Sequence, residues 1–304
     1  MSRRRRREAP LYGGVEAGGS KWVCAVGYAP SDIRETTTFP TTAPDETMAR
    51  AVEFFAGHGA LEAIGIGSFG PIDTRRSSRR FGFITTTPKP GWAQTNVVGR
   101  LEELLDVPVA FDTDVNAAAL GEQRWGAAVG LHSFCFVTVG TGIGGGIVVN
   151  GRLVHGLVHP ELGHMRIPHD RVADPFSGSC PYHGDCFEGL ASATAIRRRW
   201  GCDPRELTDE APWELEAHYL ALGLVNVVCA VSPERVILGG GVLNQPSLLP
   251  RVRKRLRELL AGYFEAPELR DGIGDFVVRP GLGDRAGVVG AIALAQQAHA
   301  LKAE

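Results

Sequence analysis

Three groups of residues in this chain have types and spacings that can do chemistry. The first is a pair of glycine-rich stretches, Gly13-Gly14-Val15-Glu16-Ala17-Gly18-Gly19-Ser20-Lys21 and Thr138-Val139-Gly140-Thr141-Gly142-Ile143-Gly144-Gly145-Gly146, each set between apolar β-type runs. Turns of this kind expose main-chain N–H groups, which bind phosphate oxygens without help from a side chain. Ser20 and Thr141 can add hydroxyl donors, and Lys21 a mobile positive charge. One such turn is explained by a tight hairpin alone. A matched pair, with a third cluster at Gly239-Gly240-Gly241, points to a nucleotide. The spacing is not GxxxxGK[ST], and strand rather than helix follows each turn, which excludes a P-loop and a GxGxxG dinucleotide turn.

The second group is Phe111-Asp112-Thr113-Asp114-Val115-Asn116, at a strand-to-helix junction. Asp114 can cap the following helix. It can also act as a base at the C-terminal end of a strand, where open α/β sheets place their chemistry. A carboxylate there can hold an alcohol in line with a γ-phosphate and take its proton as the O–P bond forms. Asp112 is the alternative base, on the same strand face by period two.

The third group is Glu161-Leu162-Gly163-His164 followed by Cys180-Pro181-Tyr182-His183-Gly184-Asp185-Cys186. Two cysteines, one histidine between them and another upstream make four ligands suited to tetrahedral zinc. The loop has glycines at 178 and 184 and few apolar residues, so a metal staple would give it the core it lacks. His155, His159 and His169 compete with His164 for the upstream place, whereas Cys202 follows a helix and fits poorly. Cys24, Cys135 and Cys229 lie in apolar runs and read as buried thiols.

The elements that must hold these groups follow from periodicity. Leu11–Glu16 and Trp22–Tyr28 flank the first turn, with further strands expected at Ile33–Thr41, Ala63–Ser68 and Val107–Phe111 and helices at Asp45–Gly57 and Asn96–Leu105. In the second half Val115–Trp125 reads as helix, Ser133–Val139 as strand, and Asn150-Gly151 as a type I′ hairpin. Helices are expected at Gly189–Trp200, Trp213–Val231, Pro250–Tyr263 and Asp284–Leu301, with a strand at Arg235–Leu238. The strand–glycine turn–strand unit occurs once in each half, which suggests duplicated α/β domains with a cleft between them.

Composition limits the alternatives. At 304 residues and 44% hydrophobic, the chain has core material for two domains. The balance of 32 basic and 34 acidic residues gives no global field for nucleic acid or anionic membrane. No apolar run reaches the roughly 18 residues a membrane helix needs. The opening Met1-Ser2-Arg3-Arg4-Arg5-Arg6-Arg7 has no apolar stretch after it and reads as a disordered basic tip over 1–10. A cytoplasmic setting is expected, and there a metal site is favoured over a disulfide.

Taken together, the motifs resemble the ROK sugar kinases of the actin-like ATPase superfamily. Glu16–Lys21 is similar to that superfamily's phosphate-1 loop, Gly140–Gly146 to its phosphate-2 loop, and Ile237-Leu238-Gly239-Gly240-Gly241-Val242 to its adenosine segment. Glu161-x-Gly163-His164 with the cysteine cluster is the specific ROK signature. The resemblance implies two actin-like (ribonuclease H-like) α/β domains with an ATP/sugar cleft. The small domain spans 1–112 and is completed by a C-terminal helix over 288–304; the large one spans 113–287 and carries a zinc loop at 164–186.

It also implies Asp114 as catalytic base, and Thr113, Glu161, His164 and Glu188 at the sugar. Gly18, Gly19, Ser20, Lys21, Gly140, Thr141, Gly142, Gly144, Gly239, Gly240 and Gly241 would serve ATP with its Mg²⁺. His164, Cys180, His183 and Cys186 would hold structural Zn²⁺, and the implied assembly is a homodimer. Three positions depart from the common pattern: Glu16 for aspartate, His183 for cysteine, and Thr113 for the asparagine of glucose-specific members. With Ser68-Phe69-Gly70-Pro71-Ile72-Asp73 and Thr87-Pro88-Lys89-Pro90-Gly91-Trp92, these resemble the bacterial fructokinase branch, with Pro71 and Trp92 near the pocket mouth. The expected reaction is ATP-dependent phosphorylation of fructose at the 6-hydroxyl, with glucose, mannose or an N-acetylhexosamine as alternatives. A sugar-sensing repressor would carry a helix-turn-helix module ahead of Gly13, where the segment is too short. A sugar-independent ATPase switch would not need Glu161, Glu188 and the metal loop.

Overall fold

The computed structural model describes residues 10–303, so the Arg-rich opening lies outside the described residues. The chain forms two units. The first holds the residues through Trp125, Leu157–His159 and those from Arg285 onward; the second holds Gly126–Gly156 and Pro160–Asp284.

In the first unit β1 (Tyr12–Ala17), β2 (Lys21–Gly27) and β3 (Ile33–Pro40) pair antiparallel. The helix α1 (Pro44–Ala56) leads to β4 (Ala63–Ser68), which runs parallel to β1. A small hairpin of β5 (Phe83–Ile84) and β6 (Thr95–Asn96) precedes α2 (Val97–Leu105), whose first turn is capped by the Asn96 side chain on Gly99 N–H. Next, β7 (Val109–Thr113) adds parallel to β4, giving the order β3-β2-β1-β4-β7, and α3 (Asp114–Trp125) follows directly.

The second unit repeats that plan. Strands β8 (Phe134–Val139), β9 (Ile143–Val149) and β10 (Arg152–Leu153) are antiparallel, and the β9–β10 turn has positive φ at Asn150 (52°) and Gly151 (76°), as a type I′ hairpin requires. The helices α4 (Phe187–Ala191), α5 (Ala193–Trp200) and α6 (Glu210–Val231) precede β11 (Arg235–Gly239), parallel to β8. Finally α7 (Leu248–Leu260) and α8 (Ile273–Phe276) lead to β12 (Val277–Val278), giving β10-β9-β8-β11-β12. The chain then returns to the first unit as α9 (Ala286–Ala303).

Several expectations need correction. The first unit runs past 112 to Trp125, because α3 packs on α9. The contact is nearly backbone to backbone: a Cβ on Gly290 would lie 1.7 Å from the Ala117 carbonyl oxygen. The helix expected over Gly189–Trp200 is broken at Ser192, whose hydroxyl caps α5 at Ala195 N–H. Cys229 is exposed on α6, while Cys24 and Cys135 are buried as expected. Trp92 is fully buried among Trp22 and Phe69, with its indole N–H on Thr42 O, so it is a core residue and not a pocket rim. Among the described residues α6 is long and apolar enough to cross a membrane, contrary to the sequence expectation. Half of its apolar window is buried inside the protein, where Trp213, Leu220 and Leu224 join the second unit's core.

Candidate active site

In the first unit, the β1–β2 turn comprises Gly18, Gly19 and Ser20. Gly18 N–H closes it on Lys21 O at 3.0 Å, and the Phe69 amide donates to Ala17 O at 2.8 Å. Among the described residues, the Gly19 and Ser20 amides donate to no backbone carbonyl. Lys21 is exposed at the start of β2, and Glu16, on β1, is partly buried with its carboxyl against Gly287. The turn therefore presents two N–H groups and a cation, the donor set a phosphate takes.

Asp112 and Asp114 differ in duty. Asp112 is 5% exposed, and its Oδ1 accepts from Thr113 N–H at 2.8 Å and Asn116 Nδ2 at 2.7 Å. That carboxylate is committed to the junction, which argues against it as the base. The Thr113 hydroxyl caps α3, 3.1 Å from Asn116 N–H. Asp114 Oδ1 accepts its neighbour's amide, Val115 N–H, at 2.8 Å, and the residue is partly exposed at the end of β7. A Cβ on Gly67 would lie 3.1 Å from Asp114 Cα, so glycine there lets α3 start this close to β4.

In the second unit the turn is tighter than its glycine run suggests. Gly140 N–H bonds Gly142 O at 2.9 Å, and β9 begins at Ile143. Gly144 is therefore a strand residue paired with Thr138, and a Cβ on Gly145 would lie 2.1 Å from Leu162 Cδ1, which keeps that position small. Among the described residues the Thr141 and Gly142 amides donate to no backbone carbonyl. The third glycine cluster comes to the same place: Gly240, at φ 93°, lies so near Val139 that a Cβ would sit 2.4 Å from its carbonyl oxygen.

Glu188, on the first turn of α4, reaches this turn as well. Its Oε2 accepts from Ile143 N–H at 2.9 Å and would be 2.3 Å from a Cβ on Gly142. The Glu161 carboxyl is pushed up to about 7, first by burial among protein atoms and then by the Glu188 charge. By area the residue as a whole is exposed, so part of its side chain still meets solvent. Two carboxylates that interact in this way are suited to accept hydrogen bonds from neighbouring hydroxyl groups.

The candidate metal centre is set by His164, Cys180, His183 and Cys186, whose ligand atoms lie within 4.8 Å of one another. A tetrahedral ion at ~2.3 Å from sulfur and ~2.05 Å from nitrogen places two nitrogens about 3.3 Å apart and a nitrogen and sulfur about 3.6 Å apart. The Nδ1 atoms of His164 and His183 are 3.3 Å apart. Cys180 Sγ lies 3.8 Å from the first and 3.6 Å from the second, and Cys186 Sγ lies 3.7 Å from that of His164. These four separations are close to those of a tetrahedral zinc site, and the full donor set spans up to 4.8 Å. His159 lies elsewhere, buried with Nε2 accepting from Ile72 N–H at 3.1 Å. His169 is held between Asp185 Oδ2 at 3.1 Å and Asp174 O at 3.0 Å. His155 is exposed, and neither it nor Cys202 joins the cluster.

Sequence reasoning missed what holds the loop before the His/Cys cluster down. Asp174 is buried and receives the Tyr219 hydroxyl at 2.7 Å and the Arg199 guanidinium at 3.1 Å, with the Arg199 plane over Phe176. A tyrosine on α6 and an arginine on α5 give no local signal of a partner near residue 174. Also missed was Thr41, which bonds to the first turn through both its hydroxyl and its amide. There a signal existed: Pro40 pairs with Lys21, which sets Thr41 beside Ser20.

The ROK family model matches residues 12–298. A fructokinase from Zymomonas mobilis subsp. mobilis is 43% identical over 308 residues, covering 97% of this chain and 99% of its own. One from Pediococcus pentosaceus is 40% identical over 290 residues, covering 95% and 98%. Among solved structures, the ROK hexokinase from Thermus thermophilus has a TM-score of 0.78 at 29% identity, covering 97% of this chain and 100% of its own. The ROK family glucokinase from Streptomyces griseus, in complex with glucose and AMPPNP, has 0.77 at 27%, covering 94% and 99%. These proteins share the actin-like ATPase fold, whose repeated sheet order the two units here display. With its signature, its fold and nearly its whole length accounted for, the chain belongs to the ROK family.

Proposed function

We propose that this chain is an ATP-dependent sugar kinase that phosphorylates fructose at its 6-hydroxyl. The observation that carries the choice of sugar is end-to-end likeness to curated fructokinases at 40% identity and above. The geometry supports the reaction type through paired turns with outward donors and a partly exposed carboxylate at a strand end.

In this reading Asp114 accepts the proton of the sugar hydroxyl as its oxygen bonds the γ-phosphorus and the bond to the β-phosphate oxygen breaks. ADP leaves, and Asp114 releases the proton to solvent. The Gly19, Ser20, Thr141 and Gly142 amides donate to phosphate oxygens, Lys21 adds charge, and Gly239–Gly241 contact the adenosine. Thr113, Glu161, His164 and Glu188 orient the sugar through its hydroxyls. Mg²⁺ carried by ATP would neutralise charge on the transferring group, and Glu16 and Asp114 are oxygen donors of the kind that could hold it.

His164, Cys180, His183 and Cys186 would hold Zn²⁺ with no open position, so its chemistry is structural. Cys186 immediately precedes α4, and the metal would thereby fix Glu188. The proposed setting is the cytoplasm and the proposed assembly a homodimer, which sedimentation of the purified chain tests. ADP release measured over fructose, glucose, mannose and N-acetylhexosamines tests the central reading. Fructose should give the highest kcat/KM, and ATP consumption that ignores sugar would overturn the assignment.

A further inference from the structure

In both turns a threonine hydroxyl from a separate segment donates to a turn carbonyl. In the first, Thr41 Oγ1 donates to Gly18 O at 2.7 Å and Thr41 N–H donates to Ser20 O at 3.0 Å. A peptide unit is planar and trans, so its C=O and N–H point in opposite directions. Drawing Gly18 O toward Thr41 turns the Gly19 N–H away from it. The backbone there is uncrowded, with the nearest atom to a Cβ on Gly19 at 4.0 Å.

Thr41 is itself held. It is 6% exposed; Lys89 Nζ donates to its carbonyl at 3.1 Å, and the next amide, Thr42 N–H, donates to Thr47 Oγ1 at 3.0 Å. The second turn has the same device from a different element. Ala193 N–H donates to Gly140 O at 2.8 Å and Thr194 Oγ1 to Thr141 O at 2.7 Å, which turns the Thr141 and Gly142 amides outward.

We infer that Thr41 and Thr194 are positioning residues for the nucleotide, each fixing a turn peptide so that the following amide faces a phosphate. The inference rests on the ATP reading of the two turns. Without the Thr41 hydroxyl, the Gly18–Gly19 peptide is flanked by glycine on both sides and rotates at little steric cost. The amide would then spend much of its time turned inward, and a charge-assisted hydrogen bond to phosphate would be lost.

The test is titration of the full-length protein with AMPPNP and, separately, fructose. Thr41→Val and Thr194→Val are each expected to weaken AMPPNP binding about tenfold or more. Fructose affinity should stay within about twofold, and Thr41→Ser and Thr194→Ser should restore AMPPNP binding, because a hydroxyl suffices. Should Thr41→Val fail to fold, Lys89→Met releases the Thr41 carbonyl while leaving both turn contacts, and should weaken AMPPNP severalfold. Valine variants that bind AMPPNP as wild type does, equal losses for both ligands, or no recovery with serine would each overturn the inference. A wild type that binds AMPPNP but leaves fructose unphosphorylated defeats the kinase reading alone, and the valine–serine comparison still decides. A wild type that binds no AMPPNP overturns both.

Discussion

Adding one methyl group at Gly142 should separate sugar use from folding. A Cβ there would lie 2.3 Å from Glu188 Oε2 and 3.1 Å from its Cδ, where ordinary contact begins near 3.4 Å. The carboxyl end must therefore retreat by about 1 Å, a distance that its flexible side chain can supply without moving backbone. That retreat breaks the 2.9 Å bond from Ile143 N–H to Glu188 Oε2. A carboxylate displaced in this way also loses its proposed contact with a fructose hydroxyl. A hydrogen bond to a charged group is worth about 1.5–3 kcal/mol, and 1.4 kcal/mol is a factor of ten, so kcat/KM for fructose should fall about ten- to a hundredfold in Gly142→Ala. The variant should still fold, with its unfolding temperature lowered by no more than the few degrees that loss of the Ile143 bond accounts for. Gly140→Ala is the control for added bulk, since nothing lies within 4 Å of a Cβ there. Steady-state kinetics at saturating ATP with varied fructose reads the effect. A Gly142→Ala enzyme within twofold of wild type for fructose would refute the placement of Glu188 at the sugar.

Two further outcomes follow from buried groups. The purified protein should carry one zinc per chain by elemental analysis, and chelation or Cys180→Ser should lower fructose turnover; metal-free protein with full activity would remove the centre's role in shaping the site. Glu216 is 2% exposed and, among the described residues, neither carboxyl oxygen has a hydrogen-bond partner, so burial raises its pKa well above 4.5 despite the opposing Arg199 charge. Above the unfolded value the unfolded chain has released this proton and the folded chain retains it, so stability falls as pH rises. Glu216→Gln should therefore gain stability over wild type in urea unfolding at pH 7, with the gain shrinking toward pH 4; a gain that is the same at both pH values would contradict this.

The parts of the site that lie in continuous segments were legible in the sequence. The two glycine turns, Asp114 at its strand end and the four candidate metal ligands all carry local patterns, which the structure shows as turns, a junction and a cluster of side chains. Distinguishing Asp114 from Asp112 was not possible from period two, because it depends on Asn116 and Thr113 completing the junction. The unit boundary was misplaced because nothing in α3 announces that α9, far along the chain, packs against it through Gly290. Trp92 reads as a rim residue beside prolines, yet its indole is taken up by a core built from three separate segments. Thr41, Thr194 and the Asp174–Arg199–Tyr219 contacts share that character: single common residues whose role arises only when distant strands and helices meet.

The most direct test compares wild type with Asp114→Asn in fructose-dependent ADP release. Asparagine keeps the Oδ1 that accepts Val115 N–H, so the junction survives while the proton acceptor is lost. Wild type should release ADP only when fructose is present. The variant should bind both substrates with near-wild-type affinity and lose about 10²–10⁴-fold in kcat. Undiminished turnover in Asp114→Asn would contradict the account at its centre.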